Sequence, residues 1–226
     1  MTIFFDFDST LVSKESLDEV IALALAEADG RAELLREVEE ITKAGMEGTL
    51  PFTESVRRRL AVVPLWHRHF EAVGDTLTQH ITADMPNLVA ELQAAGHHVY
   101  IISGGFRDSI LPVAKVLGID PQRVFANHCR YDGHGRVLSV TTDNPCFTDD
   151  GKMPVIEAIV AAASPPRPYL MIGDGGNDLK AYTSGTVEHF CGYTEHVSRD
   201  IVRQSGVPCA ASVSALRDFI LSLPAV

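Results

Sequence analysis

The sequence predicts an α/β fold, a parallel sheet with a small helical cap inserted after its first strand. Three observations carry this. Short apolar runs ending in acidic, glycine or hydroxyl residues recur along the chain, helical stretches alternate with them, and one long helical interval interrupts the alternation. With 226 residues, 46% hydrophobic and 22% charged, the composition is that of a globular protein with a sizeable core, which excludes disordered, collagenous and coiled-coil classes.

The first run, Ile3 to Phe5, leads directly into Asp6 and Asp8, as expected of a buried parallel strand with chemistry at its carboxyl end. Residues 98–103 (HVYIIS), 123–127 (RVFAN) and 169–173 (YLMIG) repeat the pattern, and helices are expected at 87–95, 109–117 and 154–163. The sheet should continue through 187–193, a helix at 197–204, a short strand near Cys209 and a last helix at 213–221. Arg130 to Val137 holds Asp132, Gly133 and Gly135 between short extended flanks and reads as a hairpin. About seventy residues separate the first strand from the helix before His98, far more than a strand-to-helix connection needs. Within that interval Leu17, Val20, Ile21, Ala24 and Leu25 recur at helical spacing, as do Leu34, Leu35, Val38 and Ile41, and 55–60 and 70–81 also read as helices. The expected organisation is a Rossmann-like core at residues 1–13 and 83–226 with a helical cap at 14–82.

Thirty acidic against 19 basic residues give a formal net charge of −11, a field that repels nucleic-acid backbones and anionic membranes, so neither is expected as a partner. Any anionic ligand must be held by local positive groups. No apolar stretch approaches the ~20 residues of a membrane span, and the opening MTIFFDFDST reaches acidic residues too early for a secretory leader. A cytoplasmic protein is expected, as a monomer or homodimer. Cys129, Cys146, Cys191 and Cys209 form no CxxC pair and are expected to be free thiols.

Asp6 and Asp8 start on the same face of an extended segment, a pairing that suits a divalent cation or, equally, a solvated turn or helix cap. The second cluster bears on that choice. In GDGGND (173–178) three glycines let the backbone fold tightly and bring Asp174 and Asp178 to the same sheet edge. Burying four carboxylates together without a cation would raise their pKa values, and a hard ion such as Mg²⁺ is the natural neutraliser. Ser103, Gly104 and Gly105 offer a hydroxyl and backbone N–H groups at a third strand end, and Lys152 opens a helix with a point charge. Together these describe a site for Mg²⁺ and a phosphate.

In chain order, DFDST (6–10), SGG from Ser103, Lys152 after Gly151, and GDGGND resemble the motif set of the haloacid dehalogenase-like hydrolase superfamily. DSTLVSKESLDEV (8–20), AGMEGTLPFTESVRRRL (44–60), FAN (125–127) and IGDGGNDL (172–179) resemble its phosphoserine-hydrolysing branch over nearly the whole chain. The resemblance implies a Mg²⁺-dependent phosphatase of serine biosynthesis that cleaves L-phosphoserine through an aspartyl phosphate. It implies Asp6 as nucleophile and Asp8 as proton donor, then acceptor. The metal would lie among Asp6, the Asp8 carbonyl, Asp174 and Asp178. Ser103, Gly104, Lys152 and Asn177 would surround the phosphate, Glu15 would pair with the serine ammonium and Arg59 would bind its carboxylate. Arg57 and Arg58 read as solvated helix charges. Met46 and Phe52 resemble an apolar lid, although packing within the cap would serve equally. Another small ester, such as phosphothreonine or phosphohomoserine, is the alternative substrate. A phospho-acceptor signalling module is a remote alternative, needing neither a cap nor Asp8. Residues 180–202 depart from the commoner bacterial pattern and are expected at the far sheet edge, so the departure bears on assembly or regulation more than on catalysis.

Overall fold

The computed structural model describes residues 1–26, 29–46 and 48–224. In chain order, β1 (Thr2–Phe5) is followed by α1 (Ser16–Ala24), α2 (Arg31–Met46), α3 (Phe52–Ala61) and α4 (His67–Leu77), and α5 (Met85–Ala94) then leads into β2 (His98–Phe106). Next come α6 (Arg107–Val116), β3 (Val124–Asn127), the strands β4 (Cys129–Tyr131) and β5 (Val137–Val140), and α7 (Met153–Ala163). The chain closes with β6 (Tyr169–Gly173), α8 (Gly176–Thr183), β7 (His189–Tyr193), α9 (Asp200–Gln204), β8 (Cys209–Ala210) and α10 (Val213–Ser222).

Six strands form one parallel sheet in the order β3-β2-β1-β6-β7-β8. Side chains alternate across it. Ile3, Phe5, Leu170 and Ile172 enter the core on one face, whereas Phe4 and Met171 enter the core on the other. Both faces are therefore covered, and this is why the strands read as continuous apolar runs. Phe5 pairs with Ile101 on one side and Ile172 on the other, which brings the carboxyl ends of β1 and β6 level. Strand order reverses between β1 and β6, the place where open α/β sheets receive ligands.

Several element boundaries shift by a few residues from expectation, α4 to 67–77 and the start of β7 to 189 among them, and two shifts have a local cause. β2 runs three residues beyond Ser103, because after an irregular step in register Phe106 rejoins β3 opposite Asn127. α9 starts at Asp200 rather than residue 197, since Arg199 is extended (φ −84°, ψ 134°). The hairpin forms as expected from β4 and β5, its turn held by Asp132 Oδ1, which accepts from the N–H groups of His134 (2.8 Å) and Arg136 (2.9 Å). All four cysteines are free thiols. Among the described residues, no helix is long and apolar enough to cross a membrane.

The described residues of the insertion form the four helices α1 to α4. α1 packs on α4 and α4 on α6, where the Ser109 hydroxyl donates to the Phe70 carbonyl at 3.1 Å, while α2 packs on α3. An isolated bridge between Val12 and Ile81 closes the base of the insertion. α3 lacks a cap of its own, because Pro51 precedes it. Asp149, from the segment before α7, supplies one: its carboxylate accepts from Thr53 N–H (2.8 Å) and from Thr53 Oγ1 (3.1 Å). The Asp149 carbonyl accepts from Lys180 Nζ of α8 at 2.6 Å, and the Arg57 guanidinium lies 5.3 Å from the Phe147 ring centre. The segment 147–149 thus clasps α3 to α8.

Asp149→Ala should lower stability by about 1 kcal/mol in urea denaturation, the usual cost of losing a helix cap, with Asp149→Asn retaining most of it. Equal midpoints for the parent and both variants would remove the capping role.

Candidate active site

Several chain segments bring their polar residues to the carboxyl edge of the sheet. Asp6 follows β1, its N–H donating to the Ile172 carbonyl at 2.8 Å, and its Oδ1 accepts from Phe7 N–H at 2.7 Å. Asp8 turns toward the insertion, where it accepts from the Ser16 N–H (2.7 Å) and the Ser16 hydroxyl (3.1 Å) at the start of α1. Asp174 follows β6, and Asp178 folds back from the first turn of α8 so that its Oδ2 accepts from Gly175 N–H at 3.0 Å. This fold-back needs Gly173: a Cβ there would lie 2.2 Å from Asp178 Cγ. Gly151 is needed for a related reason. Its φ is +75°, and an added Cβ would meet the Asn177 carbonyl oxygen at 2.6 Å, next to the bond from Lys152 N–H to that same oxygen (3.3 Å).

Oxygens of Asp6, Asp174 and Asp178 all lie within 4.8 Å of one another. The Lys152 ammonium, 8% exposed, hydrogen-bonds Asp6 Oδ1 and stands 2.7 Å from Asp178 Oδ1. Asp178 Oδ1 is fully buried, and this ammonium is its partner there. Burial, with Glu15 and Asp6 nearby, holds the Asp8 carboxyl well above the usual carboxylate range. Burial and Asp6 do the same for Asp174, and they push Asp178 up to about 6 against the opposing pull of Lys152. Three hard carboxylates with converging oxygens, two of them held above the usual carboxylate range by burial and mutual repulsion, fit a divalent metal ion.

Above this floor lies a cavity of about 300 Å³ bounded by Glu15, Phe52, Arg59, Gly104, Lys152 and Asn177. Phe52 closes on Gly104, where an added Cβ would lie 2.7 Å from the ring. Ser103 departs from the sequence reading: its Oγ accepts from Gly105 N–H at 2.9 Å, which removes one of the two glycine donors expected for a phosphate. The hydroxyl proton is what Ser103 has left to donate. Asn127 Nδ2 donates to the Gly104 carbonyl at 2.8 Å and fixes that turn. Glu15 Oε1 accepts from Ser9 Oγ at 2.9 Å. Arg59 is 5% exposed, whereas Arg58 pairs at the surface with Glu54 (2.7 Å). The side chain of Met46 lies outside the described residues.

Arg199 corrects the expectation that residues 180–202 stand apart from the chemistry. Its Nε donates to Asp174 Oδ2 at 2.6 Å and its Nη2 to Glu15 Oε1 at 3.1 Å. The segment after β7 ends beside β6, so the extended backbone before α9 delivers this long side chain to the neighbouring strand end. Strand order was the available signal, since every loop at this edge of the sheet can reach the switch point.

A family model described as haloacid dehalogenase-like hydrolase matches residues 3–182. The chain is 31% identical over 217 residues to a chloroplastic phosphoserine phosphatase of Arabidopsis thaliana, covering 96% of this chain and 67% of the plant protein. It is similar to the crystal structure of a phosphoserine phosphohydrolase-like protein from Francisella tularensis, with a TM-score of 0.87, 30% identity, and coverage of 97% and 99% of the two chains. A solved phospho-aspartyl intermediate analogue of phosphoserine phosphatase superposes with a TM-score of 0.78 at 25% identity, covering 99% and 98%.

Saturating MgCl₂ should raise the melting temperature of the metal-free protein, since a ligand that binds only the folded site stabilises it. Gly173→Ala should cost roughly 1–3 kcal/mol through overpacking against Asp178 and lose most of that Mg²⁺-dependent rise. A variant with the full rise, read by differential scanning fluorimetry, would show that the Asp178 fold-back does not serve the metal.

Proposed function

The chain belongs to the haloacid dehalogenase-like hydrolase family, and from that membership we propose that it hydrolyses L-phosphoserine to L-serine and phosphate, with Mg²⁺ as its metal. One observation carries the choice of substrate: a buried guanidinium, Arg59, and a carboxylate, Glu15, open on the same cavity as Asp6. A phosphorylated amino acid brings a carboxylate, an ammonium and a phosphate, and this cavity holds a partner for each. Residues 14–82 act as the cap that selects the substrate, and Phe52 contributes an apolar wall.

Asp6 is the nucleophile. Its carboxylate oxygen forms a bond to phosphorus as the bond from phosphorus to the serine oxygen breaks, and that oxygen leaves with the electron pair. Asp8 gives it a proton. The Asp8 carboxylate is held by Ser16 rather than by the metal cluster, which suits a group that must face the leaving oxygen. In the second half Asp8 takes a proton from water as the water oxygen attacks phosphorus, which releases inorganic phosphate and restores Asp6. Lys152 stabilises the charge spread over the phosphoryl oxygens, joined by the Ser103 hydroxyl, the Gly104 backbone and Asn177. Asp6, Asp174 and Asp178, with the Asp8 carbonyl, would hold Mg²⁺, which would supply the positive charge that lets an anionic carboxylate approach an anionic phosphate.

Phosphate release from L-phosphoserine should require MgCl₂ and stop in EDTA. Glu15→Gln and Arg59→Ala should each cost about 2 kcal/mol or more in kcat/KM, tens-fold, the scale of a lost hydrogen bond to a charged group. Phosphoethanolamine, which lacks the carboxylate, should be a poor substrate of the parent and indifferent to Arg59→Ala. A parent enzyme that prefers phosphoethanolamine, phosphothreonine or phosphohomoserine would assign the site to that ester instead.

A further inference from the structure

The geometry points to Asp18 and Thr42 as the positioning residues of Arg59: they hold one corner of its guanidinium and leave the Nε edge to take the substrate carboxylate. The inference rests on the reading of Arg59 as the carboxylate partner.

Arg59 Nη1 donates to Asp18 Oδ1 at 3.0 Å and to Thr42 Oγ1 at 3.3 Å, while Thr42 Oγ1 donates to the same Asp18 oxygen at 3.0 Å. The three residues come from three helices, Asp18 from α1, Thr42 from α2 and Arg59 from α3, and their bonds close a triangle. Both bonds leave from Nη1, toward two acceptors that are themselves hydrogen-bonded to each other. Because the guanidinium is planar and rigid, fixing that corner with two bonds fixes the orientation of the whole fork.

What remains unused is specific. Arg59 Nε is buried and has no hydrogen-bond partner. A buried donor left without an acceptor is costly and rare, and here it belongs to a residue that lines the catalytic cavity. Nε–H and one hydrogen of Nη2 point the same way, a spacing that matches the two oxygens of a carboxylate.

The two sides of this arrangement open on different spaces. Asp18 and Thr42 line a separate outer cleft, between α1, α2 and the segment around Arg199, whereas Arg59 lines the catalytic cavity and not that cleft. Arg59 therefore stands in the wall between them, braced from the outer side. The Asp18 carboxylate is 25% exposed, so water reaches it and limits its repulsion of an incoming carboxylate. Its contribution is an acceptor in the right place more than a charge. Asn offers the same oxygen, and Ser the same hydroxyl.

Asp18→Ala and Thr42→Val should raise KM for L-phosphoserine about tenfold, as expected when a charge-assisted bond loses its alignment, with kcat within about twofold of the parent. Asp18→Asn and Thr42→Ser should restore KM to within about threefold. Phosphoethanolamine kinetics should not change in any of them, and in an Arg59→Ala background Asp18→Ala should add nothing. Equal losses on both substrates, or a further loss in the Arg59→Ala background, would overturn the positioning role alone. A parent that shows no preference for the carboxylate-bearing ester would overturn the reading of Arg59 and the positioning role with it.

Discussion

Repulsion among carboxylates at one sheet edge is the constraint around which this molecule is organised. Asp6, Asp174 and Asp178 place oxygens within 4.8 Å of one another, in a position too buried for water to screen them. The fold supplies Lys152 against Asp6 and Asp178, and Arg199 against Asp174 and Glu15. Even so, the Asp8, Asp174 and Asp178 carboxyls remain raised, which leaves room for a divalent cation. The local backbone follows from this crowding. Gly173 makes space for Asp178, and Gly151 lets the start of α7 approach Asn177 and deliver Lys152.

In the proposed function the insertion answers a different problem, that of turning a general phosphate site into a selective one. A small ester offers few atoms to recognise, so its charges must meet partners that do not move. Arg59 is built for that, buried on α3 and braced by residues of α1 and α2. The same helix begins at Phe52, which closes on Gly104, and its first turn is capped by Asp149 from the sheet layer. One helix thus carries Phe52, Arg59 and the clasp to α8, so displacing α3 would disturb all three together.

Much of this is legible in the sequence, for identifiable reasons. Strands buried on both faces are continuous apolar runs, and β6 has the boundaries its residues announce, 169–173. The paired aspartates are visible because their spacing places them beside a strand end. The end of β2 is less visible, since glycines that suggest a loop here continue the strand past a register irregularity. Arg199 is hidden for another reason: its partners Asp174 and Glu15 lie 25 and 184 residues away, and it takes the strand order β1-β6-β7 to bring them together. Asp18, Thr42 and Asp149 are equally silent as letters. An acidic residue on a helix face or in a loop usually meets solvent, and it takes the packing of several helices to give these three their partners.

Of the proposed roles, Asp6 as the nucleophile toward phosphorus is the central one, and covalent trapping tests it directly. Asp8→Asn should slow hydrolysis of the intermediate more than its formation, so phosphoserine labelled on phosphorus and an acid quench should leave label on the protein. Borohydride reduction releases the labelled phosphate and turns the phosphorylated side chain into the alcohol, a mass change that peptide mass spectrometry should find at Asp6. Label on Ser9, Thr10 or Ser103, or turnover that persists in Asp6→Asn at the parent rate, would contradict the account.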